Sequence, residues 1–431
     1  MGEKERVPRE GRNQTATPVA RNGVAAWHQQ GWPVVLQVLP SLVTGGAERG
    51  CIDVAVALAQ AGALPLVASE GGPMIRELDR LSIPHFTLPL ASKNPLTIYR
   101  NIAQLEAIIR EWQVDVIHAR SRAPAWSAWY AARNTGIRFM TTFHAAYGFS
   151  NRFKHAYNAV MARGERVIAV SEFIRSHILE NYPVHPFAVR VIPRGVDLSL
   201  FTPEQVTPSR MIQLARAWQL PEDRPVIMLP GRLTRIKGQT VLIEALARLG
   251  RRDVVCVLVG SDQGRHGYRR ELEERILRAG LGGVVMCVDH CSDMAAAYSL
   301  ATVVVVASIV PEAFGRVIVE AQAMGRPLVV SDVGAIKETV EAGKTAWVVP
   351  PGDPEALAGA LRVALELSEE QRRDQAVRAR EFVTTRFTRE RMCAATLDVY
   401  AELVGSQRAF AAVNGHSRPA AEDLDEEEAA P

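Results

Sequence analysis

The sequence has no uncharged apolar run of about 18 residues, so no membrane-spanning helix is expected. Its first thirty residues are polar and lack the apolar core of a signal peptide, so a cytoplasmic chain is expected. Cysteine is scarce and odd in number: Cys51, Cys256, Cys287, Cys291 and Cys393, mostly inside apolar runs. That usage argues against a disulfide framework and fits a reducing compartment. Cys287 and Cys291 flank His290 but have no second ligand pair nearby, so no zinc site is expected. Net charge is only +3, too little for a dedicated nucleic-acid binder. Short-period repeats are missing too, which sets solenoids and propellers aside.

What is present fits a two-domain α/β protein. A chain of 431 residues exceeds one ordinary core. Its 48% hydrophobic and 23% charged residues are those of a soluble globular protein. Short apolar runs alternate with amphipathic stretches, the pattern of parallel β-α-β units. Strands are expected at Val34–Leu39, Leu64–Ala68, Val114–His118, Arg138–Thr142 and Arg166–Val170. A second series begins at Val226–Leu229 and continues through Val254–Val259, Val284–Val288 and Val303–Val306. Asp353-Pro354 reads as an N-cap with proline at the first helical position. Five prolines between Pro193 and Pro225 mark the junction. The expected division is a polar tail over 1–30, one Rossmann-like domain over 31–200, a second over 201–385, and a tail over 405–431. That last tail holds six acids against Arg408 and Arg418. Ligands of such paired sheets bind at the carboxyl ends of strands.

The most specific segment is Pro311-Glu312-Ala313-Phe314-Gly315-Arg316-Val317-Ile318-Val319-Glu320. It reads as a loop entering a short helix. Gly315 permits close backbone approach, and the first free amides of the helix favour an anion such as phosphate. Glu312 and Glu320 would repel phosphates, so they are read as acceptors for hydroxyls. An anion flanked by hydroxyls describes a sugar nucleotide. Arg232 and Lys237, bracketed by Gly231 and Gly238, follow a strand, and both can reach a diphosphate. Gly45-Gly46 is a turn between a strand and a helix, able to approach a phosphate or an acceptor hydroxyl. An ordinary tight turn is the alternative.

His144 ends an apolar run, where a neutral imidazole could bond a sugar hydroxyl, although a structural role is also open. His118 reads as structural, with Arg120 and Ser121 after it as candidates for acceptor contact. Asn151 to Arg166 reads as a helix with a basic and an apolar side. Two readings stay open for it: a helix resting on an anionic membrane surface, or a core-facing helix with a solvated basic face.

From Val34 to Tyr400 the chain resembles the family 4 glycosyltransferases, retaining enzymes of the GT-B fold. The E-x7-E motif from Glu312 to Glu320 carries most of the resemblance. Gly-Gly-Ala-Glu at 45–48, Thr-Phe-His at 142–144, Gly-Arg-Leu through Lys-Gly at 231–238 and Pro-Pro-Gly-Asp at 350–353 add to it in order. The resemblance implies an acceptor-binding first half, a donor-binding second half, and a last helix, 386–404, that returns to the first. It places Glu312 and His144 at the donor sugar, Glu320 at the ribose, and Arg232 and Lys237 at the diphosphate. The backbone amides of Phe314, Gly315 and Arg316 would contact sugar and phosphate. It implies no metal; the Asp-x-Asp at Asp423–Asp425 lies in the acidic tail. Arg194 stands where the family commonly has Asn, which is expected to alter the interdomain hinge. Val288-Asp289-His290 replaces a common glycine and leaves the base open.

The expected function is therefore a metal-independent retaining hexosyltransferase. It would use a UDP- or GDP-linked sugar and a saccharide or lipid-linked acceptor in cell-envelope or lipopolysaccharide synthesis. Peripheral association with an anionic inner-membrane surface is a further expectation. A GT-B sugar-nucleotide epimerase and a non-catalytic sugar-nucleotide-binding protein are the rivals.

Overall fold

The computed structural model describes residues 33–43 and 45–405. The two expected tails lie almost wholly outside the described residues. Seven parallel strands build the first sheet: β1 (Val34–Val38), β2 (Leu64–Ser69), β3 (His85–Thr87), β4 (Val116–Ala119), β5 (Arg138–Phe143), β6 (Arg166–Ala169) and β7 (Val189–Val191). Their spatial order is β3-β2-β1-β4-β5-β6-β7. Six more build the second: β8 (Val226–Pro230), β9 (Val255–Val259), β10 (Val285–Val288), β11 (Val303–Val306), β12 (Leu328–Ser331) and β13 (Trp347–Val349), in the order β10-β9-β8-β11-β12-β13. The architecture is two Rossmann-like α/β domains.

The strands are nearly continuous apolar runs because helices cover both faces. All five residues of β1 and all four valines of β11 are buried. Each fully buried valine or leucine contributes about 1.5–3 kcal/mol, which fixes the strand ends from which the loops emerge. Strand order reverses between β1 and β4 in one sheet and between β8 and β11 in the other. A crevice opens at such a reversal. The loops after these four strands carry Gly45-Gly46, Arg120, Arg232 to Lys237, and Ser308 to Glu312.

Five helices position the site: α1 (Gly46–Gln60), α2 (Glu172–Asn181), α3 (Gln239–Leu249), α4 (Arg316–Ala323) and α5 (Arg389–Val404). Thr388 caps α5 by accepting from the amide of Arg391 at 3.1 Å. The helix then buries Cys393, Leu397, Tyr400 and Leu403 against Val35, Val54, Met140 and Ile168 of the first domain. Phe314 and Val319 share a core with first-sheet residues and with Phe387, so the two halves are packed together at the crossover. Polar contacts reinforce this. Ser171 Oγ donates to the carbonyl of Ala313 at 2.7 Å, and the amides of Glu172 and Phe173, at the start of α2, donate to the Glu338 carboxylate at 2.8 and 2.7 Å.

The stretch from Asn151 to Arg166 departs from the expected single helix. A helix covers Arg152–Asn158, a 3-10 turn covers Ala159–Ala162, and β6 starts at Arg166. Its apolar residues also split: Val160 and Met161 are buried, whereas Phe153 is 88% exposed.

Candidate active site

The loop after β11 sets the second domain's side of the crevice. Gly334, at φ 61°, lets the chain pass so close to Glu312 that a Cβ there would lie 2.4 Å from the Glu312 carbonyl oxygen. The amide of Ala335 donates to that carbonyl at 2.9 Å. Gly238, at φ 69°, packs in the same way on Ala307, so the loop after β8 lies against the end of β11. Lys237 Nζ therefore meets Glu312 Oε1 at 2.6 Å, and Ser308 Oγ donates to the same oxygen. Arg232 is exposed beside them, with no side-chain hydrogen bond among the described residues.

Gly315 caps α4 at φ 91°, a left-handed conformation that glycine adopts without strain. Of the first-turn amides, that of Ile318 donates to the Gly315 carbonyl at 3.0 Å, which leaves those of Arg316 and Val317 without a helical carbonyl to bond. Phe314 is 3% exposed, with its ring edge-on to Phe387 at 5.5 Å, so only its backbone faces the loop. Glu320 sits on the second turn of α4, 8% exposed. Arg316 donates to its Oε1 and Tyr298 to its Oε2, both at 2.9 Å. Burial, and then the Glu320 carboxylate, push the Tyr298 hydroxyl well up, so it stays a donor. The sequence reading placed Glu320 at sugar hydroxyls; in the structure each of its oxygens accepts one protein hydrogen bond.

The first domain faces this wall. Gly45 takes φ 146° before α1, and a Cβ on Gly46 would lie 3.1 Å from Arg316 Cδ and 3.2 Å from Arg194 Nη1. The two domains thus meet at Gly46, where a side chain would have to move the Arg316 and Arg194 side chains by a few tenths of an ångström. Arg120, 4% exposed, donates from Nε to Gln37 Oε1 at 2.7 Å, while its Nη2 has no hydrogen-bond partner among the described residues. Arg194, 8% exposed, donates from Nη1 to the Gly46 carbonyl, and its Nη2 lies 2.5 Å from His144 Nδ1. Burial, followed by the Arg316 and Arg120 guanidiniums, pushes Arg194 down to about 9. Burial and the same kind of positive surroundings hold the His144 imidazole well below its ordinary range.

Arg194 turns inward to the glycine turn and His144. The crossover contact is made by its neighbours: a Cβ on Gly195 would lie 2.4 Å from the Thr388 carbonyl oxygen, and Val196 pairs with Thr388. His118 is structural, as its position suggested. It is buried, with Nδ1 2.6 Å from Tyr400 Oη and Nε2 2.7 Å from Thr142 Oγ1. Ser121 precedes the helix Arg122–Thr135 without capping it. Asp289 pairs with Arg269 at 2.5 Å. The sequence reading missed Ser308 and Tyr298. Ser308 lies just past β11, and the strand-end rule would have found it; Tyr298 carries no local signal.

The crevice so built brings Lys237, Glu312, Gly315 and Arg316 opposite Gly46, His144 and Arg194. Residues 44–200 match the model described as Glycosyltransferase Family 4, and 212–382 match Glycosyl transferases group 1. A glycosyltransferase from Rickettsia africae is 37% identical, with a TM-score of 0.80 over 86% of this chain and 99% of that one. Anabaena Alr3699/HepE, solved in complex with UDP-glucose, is 25% identical with a TM-score of 0.76, over 86% and 99% of the two chains. D-inositol 3-phosphate glycosyltransferase of Xylanimonas cellulosilytica is 28% identical over 85% of this chain and 90% of its own length. With one family domain in each half and a 37% identical match that covers 86% of this chain, the chain belongs to the family 4 glycosyltransferases of the GT-B fold.

Proposed function

We propose that this enzyme transfers a hexosyl group, with retention, from a nucleoside-diphosphate sugar to a hydroxyl acceptor and without a metal. The observation that carries the reading is the half-buried Lys237–Glu312 pair at the crevice, beside exposed Arg232 and the first amides of α4. As the sugar–phosphate bond breaks, the diphosphate leaves with the bonding electrons. Lys237, Arg232 and the α4 amides stabilise that growing charge more than the ground state. The acceptor oxygen bonds the anomeric carbon on the face the diphosphate leaves, and the departing phosphate takes the acceptor's proton. Glu312 and His144 hold sugar hydroxyls. Closure of the two domains excludes water and protects the donor from hydrolysis. The Anabaena relative was solved with UDP-glucose, which supports UDP-glucose as the first donor to assay.

For the acceptor, a saccharide or lipid-linked saccharide of the cell envelope is the first reading. The names of several relatives, D-inositol 3-phosphate glycosyltransferase, favour a phosphorylated polyol as the second. Exposed Phe153 beside Arg152 and Lys154 supports peripheral binding to anionic lipid. Failure to sediment with anionic vesicles at low salt would remove that part alone.

The test is thermal-shift screening of UDP-, GDP- and ADP-sugars, followed by proton NMR of the product. A donor at about 100 times its Kd adds about 2.7 kcal/mol of stability. The product should keep the donor's anomeric configuration. Inversion would refute retention, and conversion of the donor without an acceptor would show an epimerase.

A further inference from the structure

Arg194 bridges two groups of the crevice. It reaches the Gly46 carbonyl with Nη1 and His144 Nδ1 with Nη2, across 148 and 50 residues of sequence. A guanidinium has donors only. Even pushed down to about 9, Arg194 remains charged at neutral pH. Nδ1 must then be the acceptor, so a neutral His144 carries its proton on Nε2. That nitrogen is buried and has no hydrogen-bond partner among the described residues.

We propose that Arg194 is a positioning residue that fixes His144 as the Nε2–H tautomer, a hydrogen-bond donor, and ties it to the Gly46 turn. His144 so held donates to a lone pair on a sugar oxygen and cannot act as a base through Nε2. The groups around the ring agree with this. Arg194 comes from the loop after β7, Arg120 and His118 from β4 and its loop, and Tyr147 from the ring's own segment. None carries negative charge at neutral pH, since burial pushes the Tyr147 hydroxyl up to about 12. Glu48 and Asp53 on α1 act on Arg194. The rest of the lining of the small cavity beside His144, from α1, β5, β6 and its loop, the segment after β7, and α5, is uncharged.

The inference rests on the proposed transfer only for its kinetic readout. The first measurement, nitrogen-15 NMR of histidine-labelled full-length protein at neutral pH, needs no substrate. It should show His144 protonated on Nε2 in the wild type and a mixed tautomer in Arg194→Met, with Arg194→Lys closer to wild type. In the transfer assay, Arg194→Met should lower kcat up to about 100-fold. The acid limb of kcat/KM should move upward in pH, because a positive neighbour that opposed protonation of the ring is gone. In a His144→Ala background the same change should add little. Wild-type His144 protonated on Nδ1 would overturn the proposal. So would an Arg194→Met variant that changes neither the tautomer nor the acid limb. If no donor is turned over at all, the proposed function fails while the NMR result still decides the tautomer.

Discussion

On the wall built from the second sheet, Lys237 bonds Glu312 at 2.6 Å and Arg316 bonds Glu320 at 2.9 Å. On the wall built from the first sheet, Arg120 and Arg194 are buried more deeply, and their partners are Gln37, the Gly46 carbonyl and His144. One wall pairs Lys237 and Arg316 with carboxylates and leaves Arg232 exposed, whereas on the other the buried guanidiniums bond neutral groups, with Glu48 and Asp53 acting on Arg194 through space. Desolvating an ion costs several kcal/mol unless a partner repays it. Holding Arg120 and Arg194 in the first-sheet wall therefore costs stability. The second-sheet wall holds its cations ready, and a ligand must compete for Lys237 with a carboxylate already there.

The largest expected effect breaks the paired wall. Lys237→Ala and Glu312→Ala should each lower kcat/KM by about 100- to 1000-fold. Circular dichroism should stay native. Near-normal turnover in both variants would remove the pair from the site.

The unpaired wall should respond to pH instead. His118 and His144 are held below the ordinary 6.5, chiefly by burial, so the unfolded chain binds more protons below that pH. Stability is then complete above 6.5 and falls as the pH drops below it, by up to about 1.4 kcal/mol per pH unit for each histidine. Calorimetry from pH 7.5 to 5.5 should show this slope, and His118→Gln should reduce it.

A smaller change tests the strap that backs the same wall. Tyr400→Phe removes the hydroxyl 2.6 Å from His118 Nδ1 and should cost about 1–3 kcal/mol, read as a lower Tm. An unchanged Tm would mean that the buried imidazole finds another partner. Smallest is the seam between the walls. Glu338→Gln should weaken the bonds from the start of α2 by about 1 kcal/mol and widen the domain opening seen by small-angle scattering.

The helix Gln239–Leu249 and the capped start at Asp353-Pro354 were legible because period and capping are local. β3, β7 and β13 were not, since three residues carry no period. The 151–166 segment misled for a related reason: its apolar spacing resembled one helical face, but its residues serve a helix, a 3-10 turn and a strand. The same division runs through the site. Glu312, Glu320, Arg232 and Lys237 stood out by spacing within single loops. Glu320's engagement by Tyr298 and Arg194's turn toward His144 left no trace of that kind.

The sequence by itself determined two parallel α/β domains, the loops that face the crevice, and the residue types those loops offer. These follow from apolar periodicity, glycine placement and the rule that strand ends carry the site. Only the tertiary structure decided which polar groups pair and which stay buried without a bonded counter-charge. Pairing depends on distances of about 3 Å between segments far apart in the chain, and the cost of an unpaired charge is set by how much water the surrounding fold removes.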